Sequence, residues 1–101
     1  ERGVFVILKG ARTVIARPDG VAAICPTGNP GMATAGTGDI LTGMVAGLLA
    51  QGLAPWNAAC TATYFHGLAG DLAARQLGQA GMIARDLIQH IPHALTPTTQ
   101  A

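Results

Sequence analysis

A loop that runs straight into an apolar helix sets the tightest limit on how this chain can fold. Residues 26–37 consist mainly of Gly, Pro, Thr, Asn and Ala, which is typical of a loop without regular structure. The next segment, GDILTGMVAGLLAQG, has helical spacing, with Thr37 as the expected N-cap and Gly52 before Pro55 as the stop signal. Small residues at such a junction leave the backbone N–H groups of the helix start accessible to a ligand.

Strand and helix patterns fill the rest of the chain. GVFVILKG at 3–10 is a continuous apolar run, which favours a central parallel strand buried on both faces. Two β-rich runs flank the turn sequence PDG at 18–20 and predict a hairpin. Asp71 and Arg75, at i,i+4, are expected to form an exposed pair. The predicted bounds are strands at 13–17 and 21–25, a helix from Pro55 to about Leu77, and a helix at 83–91 that Pro92 ends.

Glycines within the predicted helices indicate close contacts. Gly43 and Gly47 lie one turn apart and mark a face of the first helix that is expected to pack closely against a neighbour. Gly67 and Gly70 interrupt the second helix where another backbone could come near. These positions predict where the chain packs on itself.

Composition excludes several classes of protein. Half of the 101 residues are hydrophobic, 11% are charged and the net charge is +1, which indicates one globular domain and no basic surface for nucleic acid. The longest apolar stretch, 40–50, is shorter than the roughly 20 residues of a membrane span. No secretory signal opens the chain, so the expected location is the cytoplasm.

The familiar metal and nucleophile signatures do not occur. The only lysine is Lys9, so there is no Walker A loop, and the chain contains no serine. Cys25 and Cys60 are expected to be buried apolar residues and not a disulfide or a metal site. His66 is expected to be a buried histidine with satisfied hydrogen bonds and not a catalyst. No metal site is predicted, because the histidines at 66, 90 and 93 lack the spacing of zinc ligands.

The junction at 36–39 is suited to phosphoryl chemistry. Backbone N–H groups and the helix dipole favour a phosphate or a developing oxyanion beside Gly36, Thr37 and Gly38. The same dipole favours a carboxylate in this first turn, where Asp39 is suited to accept a proton from a hydroxyl. The alternative role of Asp39 is to stabilise the helix end by up to about 1 kcal/mol. For Asn29, an Asx-turn that holds the loop is favoured over contact with a ligand.

Three segments resemble the NAD(P)H-hydrate dehydratase family: LKGART at 8–13, NPGMATAGTGDILTGMVAGLLAQG at 29–52 and YFHGLAGDLAA at 64–74. GTGD is shared across the ribokinase-like superfamily, whereas NPGMATAGTGD joined to an upstream KGxxT is specific to the dehydratases. The resemblance implies an α/β, ribokinase-like fold, with residues 1–101 as the C-terminal part of a three-layer domain. Three strands and three helices would leave a sheet edge without cover, so an N-terminal portion is expected to be absent; a complete small α+β domain is the alternative.

The resemblance also implies an activity. ADP or ATP would donate a phosphoryl group to the C6 hydroxyl of hydrated NADH or NADPH, and elimination of phosphate would restore the nicotinamide cofactor. Asp39 would contact the hydrate and act as the base, while the backbone of 36–38 would stabilise the transferring group. Mg²⁺ and a homotetramer are implied in the same way. The implied nucleotide-binding residues are Lys9, Gly10, Ala11, Arg12, Thr13, Gly36, Thr37 and Gly38.

Two other functions fit the same residues. A ribokinase-like small-molecule kinase would use Asp39 in the same way but would release its phosphorylated product intact. A truncated remnant would bind nucleotide or a partner surface without turnover. Restored NADH absorbance separates the first alternative from a dehydratase, and calorimetry with ADP or ATP tests the second.

Overall fold

A small antiparallel sheet and three helices make up the part of the chain that the structure describes. The computed structural model describes residues 4–9, 13–29, 32, 36–79 and 81–95, except the side chain at 93. The three strands pair in the order in which they occur along the chain. In chain order the elements are β1 (Val6–Leu8), β2 (Val14–Ala16), β3 (Ala22–Ile24), α1 (Thr37–Ala50), α2 (Pro55–Leu77) and α3 (Ala84–Leu95).

The first strand differs from its prediction. β1 pairs antiparallel with β2, with Ile7 opposite Ile15, and Leu8 is 59% exposed. A buried parallel position was therefore wrong for the described part of the chain. The physical reason is the short connection, because a parallel neighbour requires a crossover of about a dozen residues or more and only residues 9–13 separate the two strands.

The hairpin between β2 and β3 is confirmed. Gly20 has a φ of 93°, which glycine adopts without strain, and its N–H donates to the carbonyl of Arg17 at 3.1 Å. The Asp19 carboxylate accepts a hydrogen bond from the N–H of Val21 at 3.1 Å and pairs with Arg17. The hydrogen bond from the Arg17 side chain is the main cause that lowers the pKa of Asp19 to about 2.

Helix α2 is the centre of the fold. It packs between α1 and α3, and it has the predicted bounds, Pro55–Leu77. Its buried face consists largely of Ala and Gly, so that neighbouring elements come close to its backbone. The main apolar cluster combines Met32, Ala69, Ala73, Met82, Leu87 and Ala94. The packing of α2 thereby determines where the loop before α1 lies.

Helix α3 extends beyond its predicted end. Pro92 lies inside the helix, which continues to Leu95. A proline in this position removes one backbone hydrogen bond, but only one turn follows it, and that turn buries Ala94 to 5% exposure. Packing of the last turn on the core therefore outweighs the local signal to stop.

A second apolar cluster joins the sheet to α2. Ile15, Cys25 and Ala59 are buried there. Both cysteines are free; burial is confirmed for Cys25, whereas Cys60 is only half-buried. Among the described residues, no helix is long and apolar enough to cross a membrane.

Candidate functional site

Helix α1 begins differently from its sequence prediction. Gly36 is the N-cap, with a left-handed φ of 93°, and Thr37 is the first helical residue. The Thr37 hydroxyl donates to the carbonyl of Met32 at 2.6 Å and is buried. Thr37 was therefore wrong as the N-cap, because its side chain is turned back into the preceding loop and the left-handed position requires a glycine.

The start of α1 has no side-chain cap. The N–H groups in the first turn of a helix have no acceptor within that helix, and they carry the positive end of its dipole. Gly38 and Asp39 in this turn are both exposed. A negatively charged group can therefore approach the backbone at Gly38 from solvent.

A cleft of about 440 Å³ opens between β1 and α1. It brings together Lys9, at the end of β1, and Gly38, at the start of α1. Burial lowers the pKa of Lys9, since its surroundings remove water from the amine although much of the side chain is exposed. Asp39 follows Gly38 in the same turn but does not line the cleft. The other lining residues are Ile7, Leu41, Thr42, Val45, Ala46 and Leu49.

Of the other nucleotide-binding residues predicted in the KGxxT segment, the structure describes Thr13 alone. Gly10, Ala11 and Arg12 lie outside the described residues. The Thr13 carbonyl accepts a hydrogen bond from the N–H of Cys25 at 2.8 Å, so this backbone group belongs to the hairpin. Lys9 is thus the one residue of the KGxxT segment that lines the cleft among those that the structure describes.

The loop before α1 is attached to α2 by three hydrogen bonds. Thr27 Oγ1 donates to the carbonyl of Tyr64 at 2.8 Å. The Asp71 carboxylate accepts from the N–H of Gly28 at 3.1 Å and from Nδ2 of Asn29 at 2.8 Å. Asn29 therefore ties the loop to α2, and the Asx-turn expected for it stays a prediction.

The predicted exposed pair of Asp71 with Arg75 was wrong. Asp71 is half-buried and faces the loop, and the ion pair found among the described residues joins Arg17 to Asp19. Helical spacing shows which side chains can meet along one helix, whereas the loop partner comes from 42 or 43 residues away in sequence. Sequence reasoning thus missed Asp71 as an anchor of the site.

The segment before α1 packs closely against α2 at two glycines. A Cβ at Gly67 would lie 2.7 Å from the backbone carbon of Thr27, and one at Gly70 would lie 2.7 Å from Cε of Met32. The predicted close approach of another backbone is confirmed at Gly67, whereas the close neighbour at Gly70 is the side chain of Met32. In contrast, Gly43 and Gly47 of α1 have nothing within 4 Å of a built Cβ, so the closely packed face predicted there was wrong among the described residues.

His66 also lies on the buried face of α2. Its side chain is 2% exposed, and its Nε2 lies 2.8 Å from the carbonyl oxygen of Thr37. Burial lowers the pKa of His66, the hydrogen bond with Thr37 opposes that change, and the charge of Lys9 adds to it. The prediction of a buried, hydrogen-bonded histidine is confirmed.

Replacing Asp71 with alanine is expected to destabilise the chain by about 1 to 3 kcal/mol, because two loop donors lose a charged acceptor. Urea denaturation measures the difference. Arg75→Ala is the matched control and should change stability by less than about 0.5 kcal/mol, since Arg75 is exposed. Equal effects of the two substitutions would mean that Asp71 does not anchor the loop.

This arrangement can bind an anion. Lys9 and the exposed Gly38, with its backbone N–H, line one cleft and can hold a phosphate, while Asp39, next in the chain, can accept a proton from a hydroxyl bound beside it. The contacts with α2 hold the loop in place before a ligand arrives. The fold and the site together define an α/β protein with a helix start suited to binding an anion.

The chain belongs to the NAD(P)H-hydrate dehydratase family, whose family model matches residues 1–93. It is 62% identical over 95 residues to the bifunctional NAD(P)H-hydrate repair enzyme of Moorella thermoacetica, covering 94% of this chain and 18% of that protein. It is 42% identical over 86 residues to the ADP-dependent (S)-NAD(P)H-hydrate dehydratase of Neisseria meningitidis, covering 84% of this chain and 29% of that protein.

Solved structures give the same fold. The ADP/ATP-dependent NAD(P)H-hydrate dehydratase from Bacillus subtilis, co-crystallised with ATP and Mg²⁺, matches with a TM-score of 0.83 and 39% identity. The match covers 89% of this chain and 32% of that one. The described chain is therefore an α/β structure of the dehydratase type that spans about a third or less of the relatives it matches.

Proposed function

We propose that this chain carries the anion-binding and base-bearing part of an ADP- or ATP-dependent dehydratase that restores NADH or NADPH from their hydrates. The observation that carries the proposal is the start of α1, where the exposed Gly38 shares a cleft with Lys9 and is followed by Asp39. Membership of the dehydratase family supplies the substrate class.

In this proposal each group has one task. Asp39 accepts the proton of the C6 hydroxyl while the hydroxyl oxygen attacks the terminal phosphorus of ADP or ATP. The nucleotide departs with one phosphate fewer. The N–H groups at 36–38 stabilise charge on the transferring phosphoryl oxygens. Phosphate then leaves from C6 with the bonding electrons while a proton is lost from the ring, which forms the double bond of the reduced nicotinamide.

Mg²⁺ is proposed as an ion that arrives with the nucleotide. Among the described residues, no group of three or more His, Cys, Asp or Glu side chains could hold a metal. Mg²⁺ commonly keeps several waters and binds through substrate phosphates with one or two carboxylates, so this chain need contribute no cage of its own. The ion would neutralise charge on the phosphates.

The test is a spectroscopic assay of the full protein with hydrated NADH and ADP or ATP. Restored absorbance of NADH, dependent on nucleotide, is the expected result. A stable phosphorylated product without NADH would instead indicate a small-molecule kinase. No turnover, with or without nucleotide binding, would indicate a non-catalytic remnant.

We also propose that residues 1–101 act as one part of a larger dehydratase domain. The relatives are three or more times longer than the matched segment, and the described face around α1 and β1 remains apolar and exposed, with Leu49 43% and Leu8 59% exposed. Calorimetry should show at least about tenfold tighter ADP binding when the chain is joined to the preceding dehydratase segment of the Moorella relative. Equal affinity of the chain alone would contradict this proposal.

Two further expectations from the sequence, the cytoplasmic location and the homotetramer implied by the resemblance, are carried forward as proposals. The protein is proposed to act in the cytoplasm, where the reduced nicotinamide cofactors are used, and to form a homotetramer. Sedimentation of the full protein at several concentrations tests the second. A single monomeric species throughout would contradict it.

A further inference from the structure

The peptide unit between Thr37 and Gly38 connects the inside of the protein to the anion site. Its carbonyl oxygen lies 2.8 Å from Nε2 of His66 on α2. Its N–H belongs to Gly38, which is exposed and lines the cleft with Lys9. Because the peptide is planar and trans, the C=O and the N–H point in opposite directions. A hydrogen bond that fixes the carbonyl therefore also fixes the direction of the N–H.

The same hydrogen bond changes the strength of that donor. A donor to a carbonyl oxygen polarises the whole amide, which makes the N–H at its other end a better donor, by roughly 10–30% per bond. His66 is buried, so water does not screen its interaction with the carbonyl. Both effects act on one of the N–H groups at which the proposed phosphoryl group would be held.

We propose that His66 is a positioning residue of the anion site, which orients and polarises the Gly38 N–H through the Thr37 carbonyl. The inference rests on the proposed function for the identity of the anion, a phosphoryl group of ADP or ATP. It assigns to His66 no contact with the ligand and no proton transfer. The histidine acts from α2, through one shared peptide unit.

The geometry requires one form of the imidazole. A carbonyl oxygen only accepts, so Nε2 carries the proton and donates. Burial lowers the pKa of the ring, which favours the neutral state. Nitrogen NMR of the wild-type chain should therefore show the Nε2–H tautomer, and an unprotonated Nε2 would overturn the proposal.

Substitutions separate the donor from the bulk of the side chain. His66→Leu fills similar space without a donor, whereas His66→Gln keeps a donor near the position of Nε2. In the chain without ligand, the Gly38 amide nitrogen resonance should move upfield in His66→Leu and stay close to its wild-type position in His66→Gln, because only the first loses the polarising bond. Equal movement in both variants, or none in His66→Leu, would refute the proposal.

His90 provides a matched control on α3. Its Nδ1 lies 2.7 Å from the carbonyl of Asp86, so His90→Leu also removes a histidine that contacts a backbone carbonyl. That variant should leave the Gly38 resonance unchanged. If His90→Leu moves it as far as His66→Leu does, the effect is general and the proposal fails. Should His66→Leu not fold, the wild-type tautomer and the Gly38 resonance of His66→Gln decide.

A second measurement tests whether the hydrogen bond from His66 affects ligand binding. Titration of the full protein with ADP should give a dissociation constant raised about tenfold in His66→Leu and at most about threefold in His66→Gln. Equal weakening in both variants would overturn a role for the donor. Absence of ADP binding by the wild-type protein would remove the proposed function, while the ligand-free Gly38 resonance would still report the coupling.

Discussion

Asp39→Asn is expected to lower turnover of hydrated NADH by at least about 100-fold while nucleotide affinity changes only a few-fold. Asparagine has nearly the same shape but cannot accept the proton of the attacking hydroxyl. The exposed backbone at Gly38 is unchanged by the substitution and can still bind the phosphates. The measurement is the initial rate of NADH formation with saturating ADP or ATP, together with calorimetry of nucleotide binding.

A second first-turn acid allows the role of Asp39 as a base to be separated from its effect on the helix. Asp86 occupies the first turn of α3, where its carboxylate accepts from the N–H of Ile83 at 2.9 Å. Asp86→Asn removes a comparable helix-end charge, worth up to about 1 kcal/mol, and should leave turnover near the wild-type value. Retained turnover in Asp39→Asn would remove Asp39 from the chemistry.

Local patterns predicted the elements of this fold better than their partners. The bounds of α2 and the hairpin at Gly20 follow from signals close in sequence, such as Pro55 at a helix start and a glycine with positive φ. The predictions for β1 and Pro92 were wrong, because strand pairing decides the position of β1 and core packing decides where α3 ends. A continuous apolar run indicates a strand, but the length of the next connection determines the direction of its neighbour.

In the site, too, local sequence signals were predictive and contacts between distant residues were missed. GTGD predicted an open helix start, and the structure has it, but the cap shifted from Thr37 to Gly36 because the hydroxyl of Thr37 reaches Met32. The contacts of Asp71 and His66 with the loop and α1 join residues that are 29 to 43 positions apart. No local period contains such information. Gly67 and Gly70 gave a usable signal, since a glycine within a helix often marks a close neighbour.

Gly67→Ala is expected to destabilise the chain by about 1 to 3 kcal/mol. The added Cβ would lie 2.7 Å from the carbonyl carbon of Thr27 and 2.8 Å from its oxygen, and backbone atoms cannot swing aside as the end of a long side chain can. The loop would have to lift from α2, which would break the hydrogen bond from Thr27 Oγ1 to the carbonyl of Tyr64. Urea denaturation followed by far-UV circular dichroism measures the loss.

The direction of the change distinguishes this contact from a general effect of glycine. Alanine is the better helix former by about 0.5–1 kcal/mol, so Gly43→Ala, with nothing within 4 Å of its new Cβ, should stabilise the same chain. Opposite signs at Gly67 and Gly43 are therefore expected from one substitution. A stabilised Gly67→Ala would mean that the loop does not rest on α2, and the support proposed for the anion site from that helix would fail with it.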